Sequence, residues 1–379
     1  MKENIDDRIQ KLEDKGVIII DPKQTFIAPE VNIDRIFKGS ILFPGTRLTG
    51  EKTIIGSFAK IGTEGPATIE NSTIASYAEV ASGFISESTL LLKARAGSNS
   101  HFRAGTLLEE EAITAHTVGL KQTILMYSVT LGSLINFCDA LISGGRSRLE
   151  HTEIGSGFIH FNFTPWGQNG DKATPSLIGN VTEGVFLDKD KIFLGGLSGI
   201  VGPLSIGFGS MTVAGQVIRE PVANSTIHSE VGTKIDKNWS YSNTKFSDER
   251  LENIREKNIE FITQLYALKI WYLQIRLKRS TLQKDEELSL VLNSAIETIQ
   301  INIKERVKRY NNFAKEWSIS LIDEKVLNKD LNEKEFSLDW KIDMNYDEWI
   351  WGLSQEEKND LKKWISDSAE EIKNNLKEI

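Results

Sequence analysis

Five histidines, His101, His116, His151, His160 and His228, are the side chains of this sequence that trade a proton near neutral pH, so a general base would be drawn from them. His160 stands two residues before Asn162, and strand alternation would put both on one face. His151 lies beside Glu150 and close to Glu153. These two are the first and second candidates for a base. Cys138 is the only cysteine of 379 residues. That excludes an internal disulfide framework and a thiolate zinc cluster, and fits a reducing compartment, by default the cytoplasm.

The formal net charge of −8 gives no global basic field, so nucleic acid is not an expected partner. The first sixteen residues, MKENIDDRIQKLEDKG, are charged and lack the apolar core of a signal peptide. No stretch approaches the roughly 18 apolar residues of a membrane span. Neither export nor membrane insertion is expected.

The elements that must carry these residues divide the chain in two. All eight prolines lie at or before Pro221, and every glycine but Gly352 at or before Gly232, whereas seven of the eight tryptophans follow. A boundary near residue 235 is expected, with a β-rich unit over 1–234 and an α-helical domain over 235–379. In the first unit an aliphatic residue followed by a small one recurs about every six positions: Ile55-Gly56, Ile61-Gly62, Ile74-Ala75, Val80-Ala81, and later Leu194, Ile200, Ile206, Thr212 and Ile218. This period signals a parallel β-helix, three short strands to a coil, with the aliphatic residue stacking inward and the small one at a tight corner. An antiparallel sandwich would space its turn signals at about 8 to 12 residues instead. The repeat is interrupted by Gly144–Arg148 and by Thr164–Lys172, loops of the kind that carry function.

In the second unit Phe261, Leu265, Leu268, Tyr272 and Ile275 follow helical spacing, as do Leu288, Leu292, Ala295, Ile299 and Ile303. Ser354 and Glu357 form a capping-box signature before a third helix through Leu361, Trp364, Ile365 and Ile372. The aromatic residues Tyr266, Trp271, Tyr272, Trp317, Trp349 and Trp351 read as packing against the β-helix or a neighbouring subunit.

The segment Gly16-Val17-Ile18-Ile19-Ile20-Asp21-Pro22, followed by Thr25-Phe26-Ile27 and the hexapeptide repeats, resembles the lead-in to the acetyltransferase half of the bifunctional N-acetylglucosamine-1-phosphate uridyltransferase/glucosamine-1-phosphate acetyltransferase family. The resemblance runs from about residue 10 to 222. It implies a left-handed β-helix, a homotrimer with sites between subunits, acetyl-CoA as co-substrate, and a sugar phosphate or a nucleotide sugar such as UDP-N-acetylglucosamine as ligand. Nothing resembles the Gly-rich nucleotide loop of the uridyltransferase half, so pyrophosphorylase activity is not expected.

Carried over residue by residue, Arg103-Ala104-Gly105-Thr106 is similar to the family's Arg-Pro-Gly-Thr, and Lys121 matches its sugar-phosphate lysine. A guanidinium fork and an ammonium point charge suit a phosphate. Phe161-Asn162-Phe163 resembles Cys-Asn-Tyr, which gives Asn162 to the acceptor and Phe163, with Trp166, to the cofactor side. Lys172 is the counterpart of a loop lysine. The chain departs between Lys121 and Asn162, where it is one hexapeptide longer and puts Phe137 where the family has its catalytic histidine. Phenylalanine cannot deprotonate an amine, hence the interest in His160 and His151. Trimeric β-helices of the gamma-carbonic-anhydrase type bind zinc through three histidines; His116 and His151 have a suggestive separation, but Ser156 stands where the third would be, and no metal is expected. The readings are a hexapeptide-repeat acyltransferase and a non-catalytic sugar-nucleotide-binding or assembly scaffold.

Overall fold

The computed structural model describes residues 5–161, 172–230, 232, 234, 236, 246–323 and 334–377. Helix α1, Ile5–Asp14, closes the base of a left-handed parallel β-solenoid, burying Ile9 and Leu12 and donating from Arg8 to the carbonyls of Ala28 and Val31. Above it the chain winds in stacked coils whose strands pair in parallel with those of the coils before and after. Eleven strands, from Ile18–Ile19 to Ile227–His228, make the long face.

Each face sends one column of residues inward. On the long face it includes Leu42, Ile61, Val80, Leu131, Ile154 and Leu194, all buried. At the corners the backbone reverses through left-handed conformations, so Asn71, Glu87, Gln122 and Asp139 carry φ of 45°, 43°, 49° and 59°. A non-glycine residue tolerates that region at a cost, and short polar side chains tolerate it best. Gly119–Leu125 and Asn136–Ile142 run through this corner as single seven-residue strands, joining the two remaining faces.

One of those faces is open; the helical domain lies over the other. On the covered face Thr106–Leu108, Thr123–Leu125, Ala140–Ile142 and Ser176–Ile178 are buried on both sides. Leu108, Leu125, Ile142 and Ile178 fill the solenoid, while Leu107, Ile124, Leu141 and Leu177 pack under the helices. A sheet buried on both faces loses its polar alternation, which explains the runs Thr-Leu-Leu and Thr-Ile-Leu.

The helical domain comprises α3 (Asp248–Trp271), a π-helical segment (Tyr272–Leu277), α4 (Lys278–Gln283), α5 (Glu286–Trp317), α6 (Tyr346–Trp351) and α7 (Gln355–Lys377). A short α2, Val181–Gly184, belongs to a solenoid insertion and packs on α3 and α7. Ser247 and Asp285 cap α3 and α5. The capping box is present: the amide of Ser354 donates to Glu357 at 2.8 Å and that of Glu357 to Ser354 Oγ at 3.2 Å. Trp271, Tyr272, Tyr266 and Trp349 are buried, as packing residues should be.

Polar contacts fix the docking. Thr89 and Thr298 share a hydrogen bond of 2.9 Å, Asn302 donates to the carbonyl of Gly105 at 2.7 Å, and Glu287 accepts from Ser57 and Ser76. Deeper in, Arg276 pairs with Glu110 and lies 3.6 Å from Glu109, whose carboxylate accepts from Tyr272 at 2.7 Å.

Candidate cation strip on the open face

Residues on the open face alternate in and out. Phe102, Leu120, Phe137, His160 and Ile200 form the inward column of five successive coils. Next to it, Arg103 registers with Lys121, and Lys121 with Cys138, so these three stand in one outward column. Arg103 Nη2 reaches to 3.7 Å from Cys138 Sγ. The two cations expected to meet phosphate are therefore neighbours on adjacent coils, one exposed and one half-buried. His101 and Arg103, two residues apart on one strand, both point to solvent.

The corner beside this strip is where α5 crosses. Arg309 donates to Asp139 Oδ2 at 2.8 Å and to Glu305 at 2.8 Å, and Arg306 lies 3.8 Å from Asp139. Arg103, Lys121 and Arg309 all act on the Cys138 thiol and draw it down, yet burial and the adjacent Asp139 carboxylate prevail and push it up. Arg306 is buried and donates to the carbonyl of Lys172, which brings exposed Lys172 to the same end of α5. Asp139, Glu305, Arg306 and Arg309 carry no local sequence signal. They are scattered charges until α5 is laid on the corner.

The expectation for His160 has to be revised. Its ring occupies the inward column, stacks on Phe137 with centroids 6.0 Å apart, and is hydrogen-bonded at both nitrogens. Nδ1 faces the carbonyl of Cys138, which can only accept, so Nδ1 carries the proton and Nε2 accepts from Ser176 Oγ at 2.9 Å. Burial holds its pKa below the ordinary histidine value. Such a ring neither meets solvent nor shares a face with Arg103. Phe137 is also inward, stacked on Phe158 at 5.7 Å, so its position offers no surface to a substrate in this register.

His151 lies in a hairpin, Gly145–Ser147 with Glu150–His151, extruded between the covered and long faces. Its Nδ1 bonds the carbonyl of Arg148 at 2.8 Å, and burial with Arg148 lowers its pKa. Within one chain it is at a different corner from the strip. His116 bonds Ser133 Oγ at 3.0 Å. Asn162, Phe163 and Trp166 lie outside the described residues. Among the described residues no group of three or more His, Cys, Asp or Glu is placed to hold a metal ion.

The chain is similar to the bifunctional GlmU proteins. It is 31% identical to that of Fervidobacterium nodosum over 223 residues, 58% of this chain and 42% of the relative. The GlmU of Staphylococcus haemolyticus is 31% identical over 212 residues (56% and 41%), and that of Lactococcus lactis 29% over 222 (59% and 43%). The chain thus spans less than half the length of these GlmU proteins, and the matched length is close to that of the solenoid. No family model matches the chain. Among the described residues every parallel strand pair joins coils of the solenoid, so no separate nucleotide-binding sheet of the GlmU uridyltransferase half is present.

Proposed function

We propose that this chain is a hexapeptide-repeat acyltransferase that moves an acetyl group from acetyl-CoA to the amine of a sugar phosphate or nucleotide sugar. The observation that carries the reading is the co-facing pair Arg103 and Lys121 on a solenoid similar to GlmU. Arg103 supplies a planar two-pronged donor and Lys121 a compact charge, so a phosphate bridging adjacent coils meets both. Arg309, from the helical domain, adds to the same positive field. Asn162 would hold the acceptor, Phe163 and Trp166 would line the cofactor side, and Lys172 would approach from the end of α5.

The acceptor ammonium must lose a proton before its lone pair attacks the thioester carbon; the tetrahedral oxyanion then collapses to the amide and expels the CoA thiolate, which takes up the proton that the new amide nitrogen gives up. Outward amides at coil corners suit that oxyanion. For the base, an outward histidine is required, and His101 shares the solvent face with Arg103. In this reading His101, rather than His160, takes the proton.

The site is completed between copies in a homotrimer. The uncovered corner and faces expose Leu134, Ile159, Phe193, Leu197 and Met211, a ridge that a monomer gains nothing by leaving in water. No helix among the described residues is long and apolar enough to cross a membrane.

A thermal-shift screen with acetyl-CoA, CoA, glucosamine 1-phosphate and UDP-N-acetylglucosamine, followed by a thiol-release assay, tests the reading. A ligand at about 100 times its Kd should stabilise by about 2.7 kcal/mol. Stabilisation by acetyl-CoA, with thiol release that is lost in Arg103→Ala, is expected. Stabilisation by the sugar nucleotide with no turnover would replace the enzyme by a non-catalytic binding scaffold, and a monomer in analytical ultracentrifugation would remove the intersubunit site.

A further inference from the structure

The helical domain does more than cover a face, because a cavity of about 270 Å³ remains between it and the solenoid. Part of its lining is apolar, from Leu92, Leu288, Val291 and Met344. Acidic side chains, Glu110, Glu111 and Asp347, line it as well. Lys93, Glu111 and Gln283 at its edge keep contact with solvent.

The buried ion cluster that Glu110 and Arg276 bring to the cavity has more carboxylates than cations. Glu109 and Glu110 are both buried and share a single guanidinium, that of Arg276. Glu109 spends its oxygens on Tyr272 and on the amide of Tyr127 at 3.0 Å. Glu110 gives Oε1 to Arg276, while its Oε2 has no hydrogen-bond partner, on a side chain nine-tenths buried and lining the cavity. A buried carboxylate oxygen left without a donor is costly unless something supplies one. Burial pushes the pKa of Glu109 up to about 7, with Arg276 opposing the shift and the neighbouring Glu110 carboxylate adding to it.

The other charged lining groups are already engaged. Asp285 caps α5, Glu287 holds Ser57 and Ser76, and Arg279 donates to the carbonyls of Trp340, Lys341 and Met344. Asp347 accepts from Tyr127 at 2.9 Å and keeps a second oxygen, and Glu111 is 3.6 Å from Lys93 at the rim. The excess is negative, so a phosphate or carboxylate ligand would be repelled.

We propose that this interdomain cleft is a binding site for a small organic cation, a primary ammonium on a short aliphatic body. The ammonium donates to Glu110 Oε2 with Glu111 and Asp347 beside it, and the aliphatic part lies against Leu92, Leu288, Val291 and Met344. Three donors on one cationic nitrogen match the missing charge and the missing hydrogen bond together. The site stands independently of the acyl-transfer reading and at a different corner of the solenoid.

Isothermal titration of the full chain with 1,4-diaminobutane, and with 1,4-butanediol as the neutral isostere, tests this. The diamine is expected to bind and the diol not. Glu111→Gln and Asp347→Asn, both at partly exposed positions, are each expected to weaken the diamine by about tenfold, equivalent to about 1.4 kcal/mol. Glu110→Gln, checked for folding by circular dichroism, is expected to abolish it, and Arg103→Ala to leave it unchanged. Wild-type protein that binds neither compound, or both alike, overturns the proposal, as does diamine binding that Glu111→Gln and Asp347→Asn leave intact.

Discussion

The open and covered faces of the solenoid are built from the same repeat and hold equivalent inward columns, yet their outward columns have opposite fates. On the open face the outward residues are His101, Arg103, Lys121, Asn136 and Cys138, in or near water. On the covered face they are Leu107, Ile124, Leu141 and Leu177, sealed beneath α3 and α5. The repeat specifies the coil, and the second column specifies what the coil is for. Substitutions in the covered column should therefore act on stability, and those in the open column on ligands.

The most severe break in that division is expected at Arg276. Arg276→Met leaves Glu109 and Glu110 buried without a counter-ion, at a cost of about 3–5 kcal/mol. Urea denaturation should show it, with hydrogen exchange rising first along α3 to α5 and the strands they cover. Leu141→Ala removes a fully buried side chain between the layers and should cost about 2–5 kcal/mol in the same assay.

Arg103→Ala and Lys121→Ala should reverse the pattern. Stability is expected to change by no more than about 0.5 kcal/mol, while affinity for a sugar phosphate falls by about 1.5–3 kcal/mol each, read by calorimetry. A loss of stability comparable to that of Leu141→Ala would erase the distinction between the faces.

The smallest effect expected is in pH dependence, where the two layers carry opposite signs. His160 has a folded pKa below that of the unfolded chain, near 6.5. Its neutral ring contributes stability above about pH 6.5, and this is lost as pH falls and the unfolded state takes up the proton. Glu109 has the reverse arrangement: its folded pKa is raised to about 7, so its contribution is full below the ordinary carboxylate value and lost as pH rises through about 7. Thermal midpoints from pH 5 to 8 should lose their acid arm in His160→Leu and their alkaline arm in Glu109→Gln.

Much of the architecture was legible because burial imposes a period: six residues in the coils, and three to four in Phe261, Leu265 and Leu268. The resemblance named Arg103 and Lys121 together, and the strand register is what places them on adjacent coils. The place of His160 was not legible. Alternation pairs residues two apart in a strand but does not say which side is inside, and a histidine that stacks between aromatic and aliphatic rungs looks like any polar exception in the sequence. Phe137, one coil earlier and registered with it, was the available signal. Arg306, Arg309 and the Glu109–Glu110–Arg276 cluster were beyond reach for another reason. Their partners are between about 130 and 170 residues away in sequence, joined only when two separately patterned units dock.

The two strands that turn the corner, Gly119–Leu125 and Asn136–Ile142, make each layer answerable to the other. Lys121 lies before the corner of such a strand and Ile124 after it, three residues and one left-handed turn apart. One unbroken seven-residue backbone thus carries Lys121 on the open side and Ile124 under the helices, so a change of fit at either side chain bears on a backbone that both layers share.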